Sequence, residues 1–162
     1  KAMQTAYTQL VAENLPFPLW HQGEGSRHQL LAQFRAAGNG ILLACQGFWE
    51  GVDIAGAALR VVIIDRIPFA VPDDPVLQAR LSVINAQGGI PFLQEQIPSA
   101  AKMLKQGAGR LIRDEQDHGV LMIADPRLVE KRYGRLLWQS LPPMQRTRDQ
   151  AIACHFLSER AR

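Results

Sequence analysis

The run Arg60-Val-Val-Ile-Ile-Asp65 is apolar at every internal position and rich in β-branched residues. A strand with one face in water alternates apolar and polar residues. One that is apolar throughout is covered on both faces, as in a parallel sheet flanked by helices. Ile41–Cys45 and Val120–Asp125 share this character, and a weaker run lies at Phe17–Trp20. Helical spacing fills the intervals. Met3–Asn14 sets Ala6, Leu10, Val11 and Leu15 to one side, and Ser26–Ala37 opens with Ser26 and Gln29 spaced as a capping box and stops at Gly38. Pro98–Arg113 and Arg127–Leu141 read as later helices. Strands alternating with helices predict an α/β fold, a mainly parallel sheet with helices on both faces.

Breaks and ends refine this outline. The prolines 68, 72 and 75 make Ile67–Asp74 an irregular loop leaving the third strand, and Gln87-Gly-Gly-Ile-Pro91 is a second break. The chain opens in a helix where an α/β unit begins with a strand, so a first strand and a larger upstream region are expected before it. Pro142-Pro143 stops the preceding helix. Beyond it, Thr147 and Gln150 are spaced as another capping box, leading a short helix to about Arg160. Ile152, Ala153, Phe156 and Leu157 form its apolar stripe. The organisation expected is thus a domain over residues 1–143 and a C-terminal turn and amphipathic helix over 144–162.

Bulk properties exclude several classes. A chain of 162 residues, 47% apolar and 20% charged, can bury a core and is ordinary for a globular protein. No run of about 18 apolar residues is present, so no membrane-spanning helix is expected. Cys45 and Cys154 have no paired spacing, and His21, His28, His118 and His155 have no metal-ligand spacing with each other or with the cysteines, which fits a reducing cytoplasm without a zinc site. His118, in the turn before the fourth strand, is expected in solvent. The net charge of +3 is unevenly spread: residues 1–101 carry 6 basic and 8 acidic side chains, and residues 102–162 carry 12 and 7. A basic half is compatible with phosphate or nucleic-acid contact.

Two stretches carry chemistry. In Gln106-Gly-Ala-Gly-Arg-Leu-Ile-Arg113, Gln106, Gly109, Arg110 and Arg113 share one face if the segment is helical. Two guanidiniums a turn apart suit a polyphosphate, because the planar fork matches phosphate oxygens and stays charged. The glycines cost helix roughly 1 kcal/mol each relative to Ala, so a close contact is expected to offset them. The plain alternative is a surface helix with solvated arginines. The second stretch, Cys45-Gln-Gly-Phe-Trp-Glu-Gly-Val-Asp-Ile-Ala-Gly56, follows a buried strand directly, where α/β sheets bind ligands. There Glu50 and Asp53 could bond a ribose or hold an arginine. Phe48 and Trp49 could stack on bases or be buried beneath the loop.

Together these stretches resemble the fifth and sixth motifs of superfamily 2 helicases, in the form used by the XPD/DinG branch: E-G-(hydrophobic)-D, then Q-x-x-G-R-x-I-R. The intervening Ile67-Pro-Phe69 and the downstream Asp125-Pro-Arg127 with Tyr133-Gly134 fit the same branch. The resemblance implies a RecA-like (P-loop NTPase-type) second motor domain of an ATP-dependent 5′-to-3′ DNA helicase of repair or replication. On it, Arg110 and Arg113 are the arginines that meet the γ-phosphate of ATP, and Gln106 orients the nucleotide or couples it to DNA. Glu50, Gly51, Asp53 and Gly109 fall on nucleotide-binding positions, and Cys45, Gln46 and Gly47 where contacts to single-stranded DNA begin. No G-x-x-x-x-G-K-[ST] loop, D-E-A-H acids or four clustered cysteines occur. ATP and Mg²⁺ would therefore be shared with an absent first motor domain, a 4Fe-4S cluster would belong to the full-length protein only, and the chain alone would be inactive. The resemblance places the whole protein in the bacterial cytoplasm at the nucleoid or replisome. Because one branch member associates with the chi subunit of DNA polymerase III, it also raises an alternative, a non-catalytic interaction module. Its contacts would be Arg146, Thr147, Arg148, Ile152 and Phe156.

Overall fold

A computed structural model describes residues 2–48, 59–112 and 117–159. Within them the elements run α1 Ala2–Ala12, β1 Leu19–His21, α2 Arg27–Ala37, β2 Ile41–Leu43, β3 Val61–Ile64, α3 Pro75–Ala86, α4 Ile97–Ala108, β4 Val120–Ile123, α5 Arg127–Glu130, α6 Gly134–Gln139 and α7 Gln150–Glu159. Every strand pairing among the described residues is parallel. Leu19 to His21 of β1 lie opposite Ile41 to Leu43 of β2, and Val61 to Ile64 of β3 lie opposite Val120 to Ile123 of β4. The α/β class with parallel strands is as expected, and each strand begins inside one of the apolar runs. The described strands nevertheless form two separate pairs, and Ile63 and Met122, more than half exposed, leave the β3–β4 pair uncovered on one face rather than buried on both.

The first unit, β1–α2–β2, is specified locally. The Gln29 amide donates to Ser26 Oγ at 3.2 Å while the Ser26 amide donates back to Gln29 Oε1 at 3.0 Å, so both ends of the capping box are made. Gly38 ends α2 with φ at 70°, a left-handed conformation that glycine adopts without Cβ strain, and its N–H bonds the Phe34 carbonyl. Leu30 and Phe34 of α2 then bury against Phe48, with Trp20 and Leu42 from the two strands packed around them. Trp20 meets Phe34 edge to face at 6.3 Å.

The second cluster is built on α4. Its buried residues Ile97, Ala100, Leu104, Gly107 and Ala108 recur at helical spacing and form one stripe. That stripe packs with Ile64, Ile67 and the fully buried Leu137 of α6. Above it Phe69, Phe92 and Tyr133 form a mutually contacting aromatic trio, with centroids 5.0 to 5.8 Å apart. Burying a side chain such as Leu104 or Leu137 contributes about 2 kcal/mol relative to leaving it exposed.

One buried acid joins the exits of β3 and β4. Asp125, 5% exposed, receives the Ile67 amide on Oδ2 at 2.8 Å and the Arg127 amide on Oδ1 at 3.0 Å. The Arg127 guanidinium adds bonds of 2.9 Å from Nε to Oδ1 and 2.6 Å from Nη2 to Oδ2. The guanidinium, with help from the two backbone amides, holds the Asp125 carboxyl well below the usual range, at about 2 against 3.8.

Several expectations are corrected. The helix read as Pro98–Arg113 begins at Ile97, after a π-helical turn over Phe92–Gln96, and ends at Ala108 with only turns as far as Leu111. The helix read as Arg127–Leu141 is two helices, because Lys131 is extended at φ −97° and ψ 142°. Gly134 makes this bend possible: a Cβ there would strike the Leu128 carbonyl. Thr147 and Gln150 form no capping box. Asp149 does the capping, accepting the Ala151 amide at 2.8 Å, while Thr147 Oγ1 receives the Asp149 amide at 2.9 Å. His118 is half-buried rather than solvated, its ring edge-on to Phe156 at 6.4 Å. The sequence reading also missed α3, whose start is well marked: Asp74 Oδ1 accepts from Val76 and Leu77 at 2.8 and 3.1 Å, and Pro75 fills the first turn.

Two outcomes are expected. Because the folded Asp125 pKa lies below its unfolded value, its contribution is complete above about pH 4 and is lost as pH falls through about 2. That contribution is on the order of 1–2 kcal/mol, since water partly screens Arg127. Thermal melts from pH 6 to pH 2 should show Asp125→Asn less stable than wild type at pH 6 and flatter below pH 4, and parallel profiles would refute the assignment. Gly134→Ala should cost about 2 kcal/mol by overpacking in urea unfolding.

Candidate functional site

The exit of β2 is the first half of the site. Beyond Leu43 the chain enters a 3-10 turn over Gln46–Phe48, in which the Phe48 amide donates to the Cys45 carbonyl at 2.8 Å. Cys45, Gln46 and Gly47 are exposed, whereas Phe48 is 8% exposed. Phe48 is therefore interior rather than a base-stacking platform. Trp49 lies outside the described residues.

Two side chains that the sequence reading passed over position this turn. Gln22, just past β1, accepts the Cys45 amide on Oε1 at 2.9 Å. Arg27, the first residue of α2, lies over the Phe48 ring at 5.2 Å and donates from Nη2 to the Phe48 carbonyl. Between them is a hollow of about 330 Å³ lined by Gln22, Gly23, Gly25, Arg27, Gly47 and Phe48. Next to Gln22 in the chain, His21 has its Nε2 3.3 Å from Glu24 Oε1 and its ring against Tyr7 at 4.4 Å. A hydrogen bond to Glu24 raises the Tyr7 hydroxyl above its ordinary pKa. The signal for Arg27 was its place at the first helical position directly after a strand.

The second half is the end of α4. Gln106 is exposed in the last helical turn, and Gly109 caps the helix in a right-handed conformation at φ −68°. No close approach across the described residues accounts for Gly109: the atoms nearest a Cβ there are carbonyls of its own helix, from Lys105 and Gln106. Arg110 follows in a turn, half-buried, with Nε enclosed and without a hydrogen-bond partner among the described residues. Leu111, 4% exposed, anchors this turn where β3 and β4 begin, since a Cβ on Gly119 would strike both the Leu111 side chain and the Arg60 carbonyl. Glu50, Gly51, Asp53 and Arg113 lie outside the described residues, and no hydrogen bond or ion pair among those described joins the two halves.

The C-terminal candidates divide. The Arg146 guanidinium stacks 3.6 Å from the Trp138 ring centroid, and Thr147 is spent on the turn before α7. Arg148 and Ile152 are exposed, and Phe156 is half-buried against His118. Among the described residues no group of three His, Cys, Asp or Glu side chains could hold a metal, and no helix is long and apolar enough to cross a membrane.

Parallel strands joined by crossover helices are consistent with a RecA-like domain. Residues 1–144 match the helicase C-terminal domain family, and the chain belongs to it. It is similar to an ATP-dependent DNA helicase YoaA of Escherichia coli strain K12, at 50% identity over 157 residues that cover 97% of this chain and 25% of that protein. An ATP-dependent helicase DinG of Mycobacterium tuberculosis strain H37Rv is 42% identical over 88% of this chain and 21% of its own length. A protein of Bacillus subtilis strain 168 named 3′-5′ exonuclease DinG is 39% identical over 73% of this chain and 13% of its own length. The chain thus spans a quarter or less of the length of these curated relatives.

If Arg27 holds the strand-exit turn as described, Arg27→Ala should raise amide hydrogen exchange at Phe48 about tenfold, the equivalent of about 1.4 kcal/mol. The amides of α4 should be unaffected, and unchanged exchange at Phe48 would remove Arg27 from the site.

Proposed function

We propose that this chain is the second motor domain of an ATP-dependent DNA helicase moving 5′ to 3′ on single-stranded DNA. Arg110 and Arg113 complete an ATP site whose remainder lies on a first motor domain of the same protein. The observation that carries the reading is Arg110, a half-buried guanidinium whose Nε has no hydrogen-bond partner among the described residues. A guanidinium held in a turn anchored by Leu111, with its Nε enclosed, is suited to stabilise charge on a transferring phosphoryl group, because a pre-placed cation needs little reorganisation when the charge develops. Gln106 lies a turn earlier and would orient the nucleotide. Glu50, Gly51, Asp53 and Gly109 are assigned to nucleotide binding, and Cys45, Gln46 and Gly47 to the DNA backbone. The described residues do not fit a Mg²⁺ or iron–sulfur site, and both groups are assigned to the rest of the full-length protein.

In the full-length protein, Arg110→Ala should lower the rate of DNA-stimulated ATP hydrolysis by roughly 10³-fold or more while the circular dichroism spectrum is unchanged. Turnover near the wild-type rate would overturn the arginine assignment. The isolated chain should hydrolyse no ATP.

A second reading rests on α7, which buries no residue and leaves Ile152 49% exposed. Here residues 144–162 form a docking segment for a replication protein such as the chi subunit of DNA polymerase III, with Arg146, Thr147, Arg148, Ile152 and Phe156 as contacts. Deleting residues 144–162 should abolish capture of purified chi subunit in a pull-down, and undiminished capture would place the contact elsewhere.

A further inference from the structure

The bend at Lys131 lies beside a second concavity, lined by none of the residues of the two halves described above. Between α5 and α6 lies a groove of about 480 Å³, lined by Val129, Lys131, Arg132, Arg135 and Trp138 among others. We propose that this groove binds an acidic peptide segment of a partner protein, seating one of the partner's apolar side chains between the carboxylates.

Charge complementarity is the first argument. Lys131, Arg132 and Arg135 are all exposed, and no ion pair engages them among the described residues. Glu130 is the one acid in the lining. Like charges gathered in a concave surface repel each other and focus a positive potential, which an anionic partner relieves. The two arginines present forks that match carboxylates two bonds at a time.

The lining is also partly apolar. Val129 is 58% exposed, and Leu128 and Trp138 line the groove with it. A volume of this size falls within the range of sites that enclose a small ligand or a few side chains. Its shape is held by Gly134, buried where α6 starts, whose amide bonds the Lys131 carbonyl at 2.9 Å.

The same residues favour a peptide over a nucleic acid. A single strand binds through nucleobases stacked on open aromatic faces. Here Arg146 already covers one face of Trp138, its guanidinium carbon 3.6 Å from the ring centroid. An exposed valine offers a nucleobase no hydrogen bond, and it suits a leucine or phenylalanine flanked by acids. Recognition of acidic motifs by arginine clusters is an established peptide-binding mode.

The test is fluorescence anisotropy with the 162-residue chain and three labelled probes. These are an Asp/Glu peptide with a central Phe, the same peptide with a central Ser, and an oligothymidylate. The Phe peptide should bind with a Kd on the order of 10 µM, tighter than the Ser peptide. A variant carrying Arg132→Glu and Arg135→Glu should lose at least about tenfold in affinity. Val129→Asp should erase the preference for Phe, and Arg135→Lys should retain part of the binding. Circular dichroism would establish that each variant folds. Absence of peptide binding by the wild-type chain, or equal binding by the double variant, would overturn the proposal. So would oligothymidylate that binds through the same arginines and displaces the peptide.

Discussion

The buried carboxylate of Asp125 is the constraint on which the second cluster depends. Parallel strands end side by side, but nothing in a parallel ladder dictates where the chain goes after its last residue. Asp125 supplies that direction by accepting from the Ile67 amide, 58 residues away, and from its own neighbour Arg127. A carboxylate in that position would be costly unpaired, and the Arg127 guanidinium removes most of the cost. With Ile67 fixed, Phe69 enters the aromatic trio, and Arg127 lies over its ring at 5.4 Å. One acid thereby couples both strand exits to the surface on which α4 and α6 pack.

Helix α4 converts this packing into the placement of Arg110. Its buried stripe leaves Gln106 outside, and the helix stops at Ala108 so that Arg110 sits in a turn rather than on a helical face. Leu111, immediately after, is driven into the core beside Gly119. The arginine is thus bracketed by two buried anchors, Ala108 and Leu111, which fix its backbone.

The β1–α2–β2 unit performs the equivalent service at the strand exit. Buried Phe48 pins the turn from beneath, Arg27 covers its ring and carbonyl, and Gln22 holds the Cys45 amide. The backbone of 45–47 is left exposed on a rigid base. The chain shares membership of the helicase C-terminal domain family and a likeness to YoaA and DinG helicases.

The sequence alone determined the elements whose causes are local. Continuous apolar runs marked the places of β2, β3 and β4, and Ser26, Gln29 and Gly38 marked both ends of α2, because caps and strand propensity depend on residues a few positions apart, whereas the exposure of Ile63 and Met122 was decided by packing. Asp74-Pro75 carried an equally local signal for α3 that the density of prolines obscured. The motif residues were legible by type and spacing, yet their surroundings were not. That α4 ends at Ala108, that α5 and α6 part at Lys131, and that Phe48 is interior were decided by tertiary packing. So were the contacts of Arg27 with Phe48, of Arg146 with Trp138 and of Asp125 with Ile67. Each joins residues between 8 and 58 positions apart, and only a folded chain brings such groups within the few ångströms over which hydrogen bonds and ring contacts act.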